Sequence, residues 1–182
     1  MSDLRPYLQG PSAPIDRELD AELKVEGALP SGLAGTYVRN GPNPFYAPPG
    51  RYHWFDGDGM LHRVRFADGQ AHYRNRWVPT AALSAEKDAG EALFGGVMEP
   101  VRQPAPGGPY KDTANTDVVM FGDELWARWF VSGRPQRMSV DGLEPLGPAP
   151  LPEKMRLAAH PKVDPRTGEM HFFSYGFRAP FM

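Results

Sequence analysis

Five histidines are the residues of this sequence best suited to chemistry: His53, His62, His72, His160 and His171. Neutral imidazole binds metals and moves protons near neutral pH. No two are spaced i, i+4 as a helical metal site needs, and HExxH is absent. His62 and His72 fall among charged neighbours and read as surface or cross-strand residues. His171 opens a strand after a polar turn and reads the same way. His53 stands beside Trp54 and Phe55 and reads as a packing histidine. His160 is different, because it follows Leu157-Ala158-Ala159 and precedes Pro161. Proline restrains the preceding residue toward extended backbone, so His160 is expected to be held before anything binds it. A rigid imidazole at a strand end suits a metal ligand, whose geometry must be closely fixed. On these residues alone, the structural reading of His160 still stands ahead of the ligand reading.

Other chemistries find little support. Asp56-Gly57-Asp58-Gly59 begins like a calcium loop, but Met60 occupies the fifth position, where an oxygen ligand is required. It reads as a tight turn feeding a hairpin. There is no P-loop, GxGxxG or GxSxG motif, and Ser132 and Ser139 have no base near them in sequence.

The elements that must position these residues are short strands. The chain has 182 residues, about one domain. Its 20 glycines and 21 prolines exclude a helical bundle. Net charge is -2, which gives no electrostatic reason to expect nucleic acid. Cysteine is absent, so disulfides and thiolate metal sites are excluded. No run approaches a membrane span, and no basic-then-apolar leader opens the chain, so a cytoplasmic location is expected.

Alternation at Leu19, Ala21, Leu23 and Val25 suggests a strand or an extended arm. Thr36-Tyr37-Val38 suggests a strand that Asn40-Gly41-Pro42-Asn43-Pro44 should stop at once. Residues 60–66 and 71–78 flank Asp68-Gly69 and predict a two-residue hairpin, with Met60, His62, Val64 and Phe66 on one face. A short helix is expected over 81–93, with Ser84 as its cap. Hairpins are expected at Gly122-Asp123 and Asp141-Gly142, and a strand over 170–175. Such spacing indicates an all-β sandwich, barrel or propeller.

Several stretches together resemble one family. Leu29-Pro30-Ser31-Gly32-Leu33-Ala34-Gly35-Thr36-Tyr37-Val38-Arg39-Asn40-Gly41-Pro42-Asn43-Pro44 is similar to the N-terminal signature of the carotenoid cleavage oxygenases. His53-Trp54-Phe55-Asp56-Gly57-Asp58-Gly59-Met60-Leu61-His62 resembles the next signature. Tyr73-Arg74-Asn75-Arg76 and Thr113-Ala114-Asn115-Thr116 follow in order. Ala159-His160-Pro161-Lys162-Val163-Asp164-Pro165-Arg166-Thr167-Gly168-Glu169-Met170 resembles the segment that carries the family's first iron-binding histidine. Five matches in the family's order, over about residues 29–176, are specific.

The resemblance implies a partial seven-bladed β-propeller, roughly two blades plus an N-terminal arm. The arm is residues 1–28, and residues 29–182 are an incomplete propeller domain. It implies a non-haem Fe(II) dioxygenase that uses O₂ to cleave a conjugated C=C bond of a carotenoid or apocarotenoid. Four histidines would hold the iron, with His160 as the first, which reverses the local reading. The other three would lie beyond Met182, so the chain is expected to be an N-terminal fragment, inactive by itself. Its partners would be an apolar polyene and O₂, with peripheral membrane contact through a patch not recognised here. Three positions depart from the family pattern. Phe130 stands where many members place a glutamate that supports a downstream histidine. Trp129 and Phe94 stand near a lysine and a tyrosine that bind the phenol in stilbene-cleaving members. That favours an apolar substrate over a lignostilbene-type one. A retinyl-ester-type isomerase is a further reading. From a different class, the chain could be a non-catalytic fragment binding an apolar ligand or a partner through open strand edges.

Overall fold

The computed structural model describes residues 8–174, apart from 11–12, 102, 107, 131–132, 153–154 and 156. Ser132, Tyr175 and Gly176, which enter the sequence reading, lie outside the described residues, as do residues 1–7 of the expected arm. Ten strands and one helix follow in chain order: β1 Asp20–Leu23, β2 Gly35–Pro42, β3 Gly59–Ala67, β4 Gln70–Trp77, α1 Ala81–Ala89, β5 Asp117–Phe121, β6 Glu124–Arg128, β7 Gln136–Ser139, β8 Pro145–Pro148, β9 Lys162–Val163 and β10 Met170–His171. They form two four-stranded antiparallel sheets, ordered β1-β4-β3-β2 and β5-β6-β7-β8, and a two-stranded β9-β10 ladder. The architecture is all-β, as the breaker content and strand spacing predict.

The Asp68-Gly69 hairpin forms with Ala67 opposite Gln70, and both turn residues have positive φ (53° and 73°). That is the backbone a type I′ turn requires. The second hairpin closes at Gly122-Asp123 with Phe121 opposite Glu124. The third is wider than the sequence suggests. Ser139 donates its N–H to the Glu144 carbonyl, Leu143 takes a φ of 56°, and β8 starts only at Pro145. Pro145 and Pro148 are tolerated because β8 pairs on one side only in the described sheet. After Asp164-Pro165-Arg166-Thr167-Gly168, strand structure covers only Met170–His171 of the expected 170–175.

Three expectations are corrected. Asn40-Gly41-Pro42 does not stop β2, because all three residues pair with β3, opposite Leu61, Met60 and Gly59. Proline is acceptable there because it is the last residue of a strand with one ladder partner. The helix runs Ala81–Ala89, not to 93, and its cap is Thr80, whose side chain accepts the Leu83 N–H; Ser84 lies inside it. Gly90, at φ 76°, ends it with its N–H on the Glu86 and Lys87 carbonyls. His160 is not extended either, since its φ is 64°. The restriction by Pro161 acts mainly against right-handed helical backbone, and the His160 amide is held by a bond to Asp117.

The core lies between the two large sheets. Leu61 and Val78 pack with Ala114, Leu125, Ala127, Met138 and Leu143, flanked by Val38 and Val118. Met60 faces the other way and packs with Trp77, Leu83 and Phe45. Both faces of β3 are therefore buried at its start. Along β3, burial falls with distance from Gly59 rather than alternating by face. Asn40 joins the sheets, its Nδ2 donating to the Ala114 carbonyl (2.6 Å) and the Asp117 carbonyl (3.0 Å).

Candidate metal centre and neighbouring cavity

His160 sits where the buried Leu157-Ala158 approach emerges from the core, just before β9. Its imidazole is 65% exposed. Asp117, the first residue of β5, reaches it from the second sheet. Asp117 Oδ2 accepts the His160 backbone N–H at 3.1 Å and lies 3.6 Å from His160 Nδ1. Asp117 Oδ1 accepts the Val118 N–H at 2.9 Å. A ring whose Nδ1–H faces a carboxylate keeps its Nε2 lone pair for a metal. Directly across the ladder from Asp117 is Arg128, only 1% exposed. Among the described residues none of its guanidinium nitrogens has a hydrogen-bond partner. Burial lowers its pKa to about 10 against the opposing pull of Asp117.

Imidazole is a borderline ligand suited to iron, so His160 fits one arm of a histidine donor set. It is one arm only: among the described residues no group of three or more His, Cys, Asp or Glu side chains could hold a metal ion. Of the remaining histidines, His53, His62 and His72 have side chains engaged elsewhere. His53 Nδ1 accepts the Phe55 N–H and caps the 3₁₀ turn Trp54–Asp56. His62 lies 2.7 Å from the Tyr73 hydroxyl, and burial, helped by Arg39, pushes its pKa down to about 4. His72 lies between Arg63 (3.1 Å) and Asp20 (3.0 Å). His171 pairs with Lys162 in the β9-β10 ladder.

A cavity opens beside the second sheet, lined by Tyr46, Phe55, Phe94, Tyr110, Lys111 and Trp129 among others. Phe94 and Trp129, the two departures near the phenol-binding positions, both face it. Trp129 is 3% exposed and its Nε1 has no hydrogen-bond partner among the described residues. Phe130 packs edgewise against Phe55 (5.7 Å between centroids) and Trp129 (5.0 Å), so it joins an aromatic cluster and brings no acceptor to a histidine.

The floor of the cavity is charged. Lys111 Nζ lies 2.6 Å from Glu86 Oε2 and 2.7 Å from Asp58 Oδ1. Burial alone would lower the Lys111 pKa, but the two carboxylates outweigh it and raise it. Asp58, read as part of a tight turn, is 2% exposed and also accepts the Phe45 N–H, while Glu86 accepts those of Leu93 and Phe94. Nearby, burial raises Asp112 to about 7 in spite of its bond from the Ala114 N–H.

Sequence reasoning missed Asp117, Arg128 and the Lys111 cluster. An arginine inside the apolar run Leu125-Trp126-Ala127-Arg128-Trp129-Phe130 was the available signal, since a guanidinium there must be buried with a counter-charge.

Residues 12–182 match the family described as retinal pigment epithelial membrane protein. The carotenoid cleavage oxygenase of Mycobacterium tuberculosis (strain H37Rv) is 40% identical, over 94% of this chain and 34% of its own. The crystal structure of Pseudomonas brassicacearum lignostilbene dioxygenase superposes with a TM-score of 0.84 at 32% identity, covering 94% of this chain and 37% of its own. Cobalt-substituted Synechocystis apocarotenoid oxygenase superposes with a TM-score of 0.69 at 31% identity, covering 84% of this chain and 34% of its own. The chain thus spans about a third of the length of the relatives it matches. These neighbours are β-propeller enzymes, and the two sheets with the third ladder fit part of a propeller.

Proposed function

The chain belongs to the retinal pigment epithelial membrane protein family, which includes carotenoid cleavage oxygenases, and from that premise we propose a function for the full-length protein that carries it. It is an Fe(II)-dependent dioxygenase that cleaves one conjugated C=C bond of a carotenoid or apocarotenoid. The balance is one alkene and one O₂ giving two carbonyl products, each carbonyl oxygen coming from O₂. The iron, when bound, supplies activation of O₂. His160 would be one of the residues that hold it, with its Nδ1 facing Asp117. The cavity walls at Phe94, Trp129 and Phe55 exclude water and hold the apolar chain of the substrate by shape. This stretch offers one imidazole, so the activity is assigned to the full-length protein and not to these residues by themselves. A cytoplasmic enzyme that meets its polyene by peripheral contact with a membrane completes the reading.

The observation that carries it is His160 itself: an exposed imidazole, held by its own amide, in the segment whose sequence resembles the family's first iron ligand. A phenolic stilbene is the second reading, favoured by the TM-score of 0.84 to the lignostilbene dioxygenase. The full-length protein is incubated in air with a carotenoid, an apocarotenoid and a phenolic stilbene. Two carbonyl products and one O₂ consumed per carotenoid or apocarotenoid support the proposal. Cleavage of the stilbene alone supports the second reading. An isomerised product without O₂ uptake overturns both.

A further inference from the structure

Asp117 contacts His160 twice, at the backbone and at the ring. Its Oδ2 takes the His160 N–H at 3.1 Å and stands 3.6 Å from Nδ1, while Oδ1 is fixed by the Val118 N–H. The Asp117 carbonyl is tied to Asn40 Nδ2, so β2 also holds the same residue. His160 has positive φ, a costly conformation for a residue with a Cβ, which persists only where the surroundings impose it. Across the ladder, Arg128 is buried with no hydrogen bond from any guanidinium nitrogen to the described residues. A buried cation without acceptors needs a counter-charge close by, and Asp117 is the residue opposite it.

We propose that Asp117 is a positioning residue for His160, turning Nδ1 toward its carboxylate and leaving Nε2 for the metal. The inference rests on reading His160 as a metal ligand. A carboxylate serving only to hold the loop would need the amide contact alone. Here the same oxygen also faces the ring.

The test uses the full-length protein with Co(II) as the metal, a substitution the Synechocystis relative accepts. Asp117→Asn is expected to weaken Co(II) binding about 10–100-fold, as loss of a partner to a ligating histidine generally does, and to shift the visible Co(II) bands. Because Asp117→Asn leaves Arg128 buried without its counter-charge, the double variant Asp117→Asn/Arg128→Met is measured alongside it. It removes both charges and is expected to show the same loss. His160→Ala is the control for the underlying reading. Wild-type affinity and spectrum in the folded double variant, with binding lost in His160→Ala, would overturn the positioning role alone. Wild-type affinity in His160→Ala would overturn the ligand reading and this inference together.

Discussion

Glu86, on the buried side of α1, accepts the ammonium of Lys111 at 2.6 Å. The same ammonium reaches Asp58 at 2.7 Å, so one cation fixes the helix, the approach to β3 and the floor of the aromatic cavity. Glu86 in turn accepts the N–H groups of Leu93 and Phe94, which orients the Phe94 wall.

Lys111→Met therefore leaves two carboxylates buried without their cation. The expected cost is about 3–5 kcal/mol, the range for breaking a buried pair from one side. Urea unfolding measures it, and a loss below about 1 kcal/mol would show the cluster to be solvated.

Gly59 marks the close approach of β3 to the segment just before β5. A Cβ there would stand 2.5 Å from the Ala114 carbonyl oxygen and 2.8 Å from that of Thr113. Both are backbone atoms, and the Gly59 N–H already donates to the Thr113 carbonyl at 2.6 Å. Gly59→Ala is expected to destabilise by about 3 kcal/mol, at the upper end of overpacking costs. An unchanged unfolding midpoint would contradict the approach.

Asp112 gives a pH dependence of defined sign. Its folded pKa, about 7, lies above the ordinary value of 3.8. The native state therefore holds a proton that the unfolded chain has released. Stability falls as pH rises from about 4 to 7 and is level above that, with a limiting slope of about 1.4 kcal/mol per pH unit. Asp112→Asn keeps an acceptor for the Ala114 N–H and removes the titration. It is expected to be more stable than the parent at pH 8 by about 1–3 kcal/mol, with no such gain at pH 4.

His62 acts with the opposite sign. Its folded pKa is depressed to about 4 from 6.5. The unfolded chain gains a proton first, so stability is lost as pH falls from about 6.5 toward 4. His62→Gln is expected to flatten that acid limb. Denaturation midpoints measured at pH 4.5 and 7.5 in both proteins check it. An equal acid loss in the two would remove His62 as its source.

What was legible in the sequence is what neighbours decide. Asp68-Gly69 forms its turn because two adjacent residues accept positive φ. Phe94 and Trp129, set apart by resemblance, do line one cavity. The helix and its first residue were legible but its cap and its end were not, since Thr80 and Ser84 both offer capping hydroxyls and Gly90 closes the helix short of 93. Asn40-Gly41-Pro42 has the composition of a breaker, yet pairing with β3 carries the strand through it. The partnerships of the site were not legible. Asp117 meets His160 across 43 residues and Lys111 meets Glu86 across 25. No local periodicity encodes such distances, and a single charged residue in an apolar run shows only that some partner must exist.

The central claim is that His160 is one of the histidines that hold the iron. His160→Ala in the full-length protein tests it most directly, with iron content and alkene cleavage measured on the same preparation. Loss of stoichiometric iron together with loss of the carbonyl products is the predicted result. Stoichiometric iron and full cleavage in the variant would contradict it.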